Sequence, residues 1–349
     1  MNQHSLNQLI RRRHRIVLLL AALMIVFFGI MQGTGTVSNF HMRDQEEISR
    51  TNYVKHVYPY LSKSEQRAGY KAYINRFKQV RYGSPKTDRM YQDGTFFNYF
   101  IFLLTILLGC VMTFWDQISG FNRLLFSSGM SRRRIYLTKL KLYLTVILPA
   151  WGINAVITML FVWFGIPHHY LTIYWVSLLL FIPIYLIQLI AALAAGSLFG
   201  MVIGQTLPLV ATIGFLGMSA GPAVIQAVQL LHVQKSWSAW LTQPLAAYGT
   251  WVGLAILFLA LSLYFYPQVS LENSHRYLLF PQLRPIVLIG FTLYVPFVMQ
   301  NWLFYDYPWL SMILTGGAVF VFLFWYLYRP TFGRRNKAQE SETSPSPRQ

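Results

Sequence analysis

The chain has 349 residues, of which 55% are hydrophobic, 17% aromatic and only 11% charged. Its formal charge of +18 suits either nucleic acid or anionic lipid headgroups, so charge alone decides nothing. Between Lys141 and Lys235, however, 93 residues pass without an Asp, Glu, Lys or Arg. A charge at mid-bilayer costs roughly 2.5–3.5 kcal/mol and one span takes ~20 apolar residues, so this stretch reads as consecutive transmembrane helices and excludes a soluble protein.

Most basic residues flank apolar segments, which assigns them to lipid surfaces and leaves nucleic acid without a case. The single cysteine, Cys110, lies inside an apolar segment and reads as a packing residue. One chain therefore builds neither a disulfide framework nor a Cys-based metal site.

In chain order, a basic N-terminus (1–15) precedes a membrane domain over 16–328, and a polar Ser- and Pro-containing tail over 329–349 reads as disordered. Eight spans are expected near 16–32, 96–115, 142–166, 171–196, 205–231, 248–266, 286–302 and 308–328, giving an all-α polytopic bundle. An even number of crossings puts both termini on one side. Arg11, Arg12, Arg13 and Arg15, six cations in 116–141, two in 267–285 and five after 328 make that side cytoplasmic, against Lys235 alone in the short outer loops. The outer 33–95 loop carries eleven Lys and Arg, but the positive-inside rule loses force beyond ~60 residues. The Arg-rich start followed by an apolar run also fits a signal peptide, although no small-x-small cleavage site follows Met31.

Within the outer loop, Ser62 to Glu65 has capping-box spacing, and Tyr70, Tyr73, Ile74 and Phe77 then recur on one helical face. That predicts an amphipathic helix lying on the outer leaflet, covering a pathway, or serving as a folded cap. The inner segment 116–141 places Ile118, Phe121, Leu124 and Leu125 on one face of a short helix, with Gly129 to end it and Arg132, Arg133 and Arg134 following. By itself this describes an interfacial helix with a basic flank.

Further along, Ala192, Gly196, Gly200 and Gly204 fall four apart, and Gly214, Gly217 and Gly221 follow on the next span. Small residues at this spacing predict close helix packing, with a bend at Gly221-Pro222. His168 and His169 read as interfacial. Trp302, Tyr305, Tyr307 and Trp309 mark an outer interface and hence a hairpin of the last two spans.

The segment after the second span resembles the permeases of the type-2 ATP-binding-cassette export class. Their pattern is an acidic residue, a Gly four later, Leu-rich turns, then Pro-x-Ser-Arg and a Lys. Asp116, Gly120, Leu124, Leu125, Ser131, Arg132 and Lys139 follow that order, while Asp116 replaces the usual Glu, Phe121 a frequent Thr and Gly129 the Pro. The long outer loop and the 271–285 linker extend the likeness loosely over the chain. The resemblance implies that residues 117–134, including Ile118 and Arg133, form a coupling helix against an ATPase subunit in trans. It also implies a second permease chain as partner, no cofactor, and transport in the cell membrane. No G-x-x-x-x-G-K-[ST] loop is present, so ATP hydrolysis by that mechanism belongs to another chain.

Three other functions remain open on sequence grounds. An ion-coupled transporter calls for intramembrane acids, and none of the expected spans holds Asp or Glu; Asp116 and Asp306 lie at or beyond span ends. A membrane enzyme calls for a catalytic set, and Glu46, Glu47 and Arg50 are spaced unlike one. A scaffold or sensor needs neither.

Overall fold

A computed structural model describes residues 3–45, 69–70, 74–75, 77–82, 92–94, 98–230, 244–269, 277–299 and 307–328. The expected capping box, Tyr73, Glu46 to Arg50, Lys235, Trp302, Tyr305, Asp306 and the C-terminal tail lie outside them. The chain is an all-α polytopic membrane bundle: seven described helices are long and apolar enough to cross a bilayer. They are α1 (Gln3–Gln45), α2 (Tyr99–Cys110, continued by a π turn Val111–Trp115 and Asp116–Ile118), α4 (Arg132–Gly165), α5 (Trp175–Val202), α7 (Pro244–Phe265), α8 (Arg284–Met299) and α9 (Pro308–Tyr328). The short helix α3 (Phe121–Phe126) lies between α2 and α4, and α6 (Thr206–Leu230) occupies the place of the expected fifth span.

Two helices outrun their predicted spans. At 1.5 Å per residue the 43-residue α1 measures about 65 Å, twice the ~30 Å of a hydrocarbon core, and α4 begins at Arg132 instead of 142. Hydropathy marks only the part of a helix that lipid covers; backbone hydrogen bonding carries the helix on through Arg11 to Arg15 and Arg132 to Lys141.

The described chain forms two compact units, Met1–Val202 with Lys235–Ser274, and Ile203–Gln234 with His275–Gln349. In the first, α1 and α4 run parallel and in step. His14 meets Tyr143, Asn154 Nδ2 donates to Ile25 O at 2.7 Å, and Thr158 Oγ1 donates to Gly29 O at 3.1 Å, each pair 129 positions apart. Such interhelical bonds hold helices where lipid gives no hydrophobic drive. Gly29 and Gly33 lie directly against Asn154 and Phe161, so a G-x-x-x-G step in α1 seats the contact.

Helices α2 and α5 are also parallel. A Cβ on Gly196 would collide with the carbonyl of Ile106, one on Gly200 with Thr113 and the Cys110 carbonyl, and one on Gly109 with the Leu193 carbonyl. Gly196 and Gly200 therefore form the expected small-residue seam with buried Ala192, and Cys110 packs in it, its Sγ 3.0 Å from Gly196 O. The stripe stops there. Gly204 lies beyond the end of α5, where its N–H donates to Tyr277 O at 2.8 Å. Gly214 faces open space, Gly217 is half-buried in α6, and Gly221 lies in the same helix. Helix α7 lies parallel to α5, with Tyr248 Oη donating to Leu180 O and Ser262 near Ser197.

Three-residue strands, which hydropathy did not predict, tie the segment between α1 and α2 to the one between α4 and α5. β1 (Val80–Tyr82) is central, with β2 (Gln92–Gly94) and β3 (Leu171–Ile173) parallel on either side. Lys78 Nζ lies 2.6 Å from Asp44 Oδ1, joining this segment to the last turn of α1, and the carboxylate raises the lysine's pKa. Within the expected helix the described residues 69–70, 74–75 and 77–78 are helical. In the second unit α8 and α9 form the predicted hairpin, Gly316 facing Pro296 and Ser311 Oγ donating to Met299 O.

Candidate functional site

At the end of the first unit where α1 begins and α2 finishes, five segments deliver polar side chains to one buried point. Asp116 ends the second span with no exposed side-chain surface. Its Oδ2 accepts from Lys139 Nζ at 2.7 Å and from His14 Nε2 at 3.1 Å, and its Oδ1 lies 3.5 Å from Arg13 Nε. Lys139, equally buried, also donates to Asn122 Oδ1 at 3.0 Å and Tyr266 Oη at 3.1 Å. An ammonium has three protons, and three acceptors surround this one.

One histidine tautomer completes the network: Nε2–H donates to Asp116, and Nδ1 accepts from the Tyr143 hydroxyl 3.0 Å away. Asp116 and Lys139 cancel each other's charge, so every charged group in the buried core has a partner, the condition for tolerating ions out of water. The arrangement fixes geometry. It leaves no proton or nucleophile unclaimed, and among the described residues no three His, Cys, Asp or Glu gather as a metal set.

The geometry after Asp116 follows from two glycines. Gly120 (φ 70°) and Gly129 (φ 76°) adopt left-handed backbone that side chains resist, so the chain turns before and after α3. Arg13 Nη2 reaches Ser119 Oγ at 2.5 Å and its guanidinium covers the Phe121 ring at 5.0 Å, pinning the first turn to α1. Ser131 starts α4, its carbonyl accepting from the N–H groups of Arg134 and Ile135. Arg132 is half-buried; it donates to the carbonyls of Pro267 (2.7 Å) and Val269 (3.2 Å) and lies over Phe126.

The structure thus divides the residues that sequence grouped together. Asp116, Leu125 and Lys139 are fully buried within this chain, and Phe121 and Arg132 are partly engaged in it. Leu125 is not available as a contact: it packs inward while Ile118 (55% exposed) and Leu124 (54%) face out beside exposed Arg123 and Arg133. At 100° per residue a short helix cannot direct adjacent leucines the same way. No family model, curated protein or solved structure matches this chain.

Sequence reading missed His14, Arg13, Asn122, Tyr143 and Tyr266. A signal existed for part of this set. Lys139, Tyr143, Asn154 and Thr158 share one face of α4, four residues apart in each pair, and a polar stripe on a membrane helix implies polar partners on its neighbours. Tyr266 and Asn122 have no such local signature. His168, expected at an interface, stacks near Trp163 at 4.8 Å.

Proposed function

We propose that this chain is the permease subunit of an ATP-driven exporter in the cell membrane, coupled through α3 to an ATPase supplied by another chain. One observation carries the reading: a short helix bounded by two left-handed glycines displays Leu124, with Ile118 exposed on the last turn of α2 just before it, while the buried Asp116–Lys139 pair holds that end of α2 against α4. Asp116, Gly120, Leu124 and Lys139 among them carry the family likeness. Exposed apolar side chains beside Arg123 and Arg133 suit an apolar groove with an acidic rim on a soluble partner. A rigid mount lets movement of that partner reach α1, α2 and α4 together. The cytoplasm is then the side of α3 and of both termini, a second permease copy completes the pathway, and hydrolysis occurs outside this chain.

The test uses the buried state of Cys110, which makes Leu124→Cys a unique accessible thiol. The reading predicts crosslinking of that thiol to a chain bearing a phosphate-binding loop. It also predicts that reconstituting the two yields ATPase activity lowered by Leu124→Asp with Ile118→Asp. Labelling of Ser131→Cys from outside intact cells by a membrane-impermeant maleimide would overturn it.

A further inference from the structure

We propose that the groove between the beginnings of α1 and α4 binds one anionic phospholipid, its phosphate against Arg11 and Lys141 and an acyl chain along the adjoining face of α4. A cleft of about 270 Å³ is lined by Asn7, Ile10, Arg11, Thr138, Lys141 and Thr145. A second groove of about 430 Å³, formed by Leu137, Leu140, Leu144, Leu148 and Pro149, shares Lys141 and Thr145 with it. One ligand entering both must carry an anion at one end and an apolar body at the other. From Lys141 to Leu148 is about 10 Å along the helix, at 1.5 Å per residue, so the two parts lie next to each other.

Charge at the polar end has no internal answer. Among the described residues neither Arg11 nor Lys141 makes an ion pair, and the nearby carboxylate, Asp116, is buried and taken by other cations. The hydroxyls of Thr138 and Thr145 donate to their own helix, at Arg134 O and Leu142 O, which leaves Arg11, Lys141 and Asn7 as donors to a phosphate. The apolar end lies on a bilayer-crossing helix, where lipid is the solvent. Basic pockets between membrane helices take anionic headgroups. A nucleotide fits less well, because no aromatic ring lines either groove to stack a base. This inference does not depend on the transport reading.

The full-length chain in detergent is titrated with dioleoylphosphatidylglycerol and with dioleoylphosphatidylcholine, and bound lipid is counted by native mass spectrometry. The phosphatidylglycerol binds more tightly, and Arg11→Ala with Lys141→Ala weakens it by about fivefold for each cation, leaving phosphatidylcholine unchanged. The pair Arg11→Gln with Lys141→Gln gives the same result should the alanine pair fail to fold. Leu144→Gln weakens both lipids. Equal affinity for the two lipids overturns the proposal. So does an equal loss in the charge-matched control Arg12→Ala with Arg133→Ala, which would show diffuse surface charge. Full-strength binding of chain-free glycerophosphoglycerol overturns it as well, showing a headgroup site without an acyl groove.

Discussion

Three basic side chains converge on Asp116, and the consequence of removing any of them depends on what is left behind. Lys139→Met strands a buried carboxylate and Asp116→Asn strands a buried ammonium, so each single change should cost about 3–5 kcal/mol. Replacing both by apolar residues of similar volume, Asp116→Leu with Lys139→Met, removes both desolvation penalties and should be milder than either single change. Thermal unfolding in detergent measures the difference, and additive losses would show that the pair is not coupled. Backbone contact sets the scale at Gly196. Its missing Cβ leaves room for the Ile106 carbonyl, so Gly196→Ala should destabilise by roughly 1–3 kcal/mol, whereas Gly214→Ala, in open space, should gain up to about 1 kcal/mol of helix propensity. Lys78 behaves differently again, being an exposed pair worth at most about 1 kcal/mol. Because Asp44 raises its pKa, that small contribution is complete below the ordinary lysine value and disappears only as alkali titrates the folded amine; at neutral pH, salt and not pH should weaken it.

At the scale of elements, α3 separates two roles that its sequence blends. Leu125→Asp should unfold the end of the first unit around Asp116, lowering the melting temperature and yield, because its side chain has no exposed surface. Leu124→Asp, at an exposed position, should leave stability within about 0.5 kcal/mol. Parallel loss of stability in both variants would show that α3 packs differently. The spans were legible because twenty apolar residues admit few alternatives, and the Gly196–Gly200 seam was legible because its spacing repeats with the helix. The strands β1 to β3 were not: three residues carry no periodicity, and their pairing joins positions 80 and 171, which no local pattern connects. The same reason hid most of the buried network. Asp116 and Lys139 stood out as charges near apolar runs, but Tyr266 lies 127 residues from Lys139 and looks like any interfacial aromatic.

For the whole molecule, helix direction gives a check that charge counting lacks. Helices α1 and α4 run the same way, as do α2, α5 and α7, while α8 and α9 oppose each other; an alternating series of membrane crossings requires each of these relations. Cysteines placed at Ser131, just before α4, and at Thr172, in β3 beyond its far end, should therefore label from opposite faces of the membrane, and labelling from one face would break the series. The division into two units was not readable, since every span is apolar and hydropathy says nothing about which spans touch. One consequence follows from the constant offset between α1 and α4. Matched over successive turns by hydrogen bonds and by glycine at the closest approach, the pair acts as a single strut. A push on α3 enters that strut from both sides at once, through Phe121 to Arg13 on α1 and through Asn122 to Lys139 on α4, and can tilt it without unzipping it.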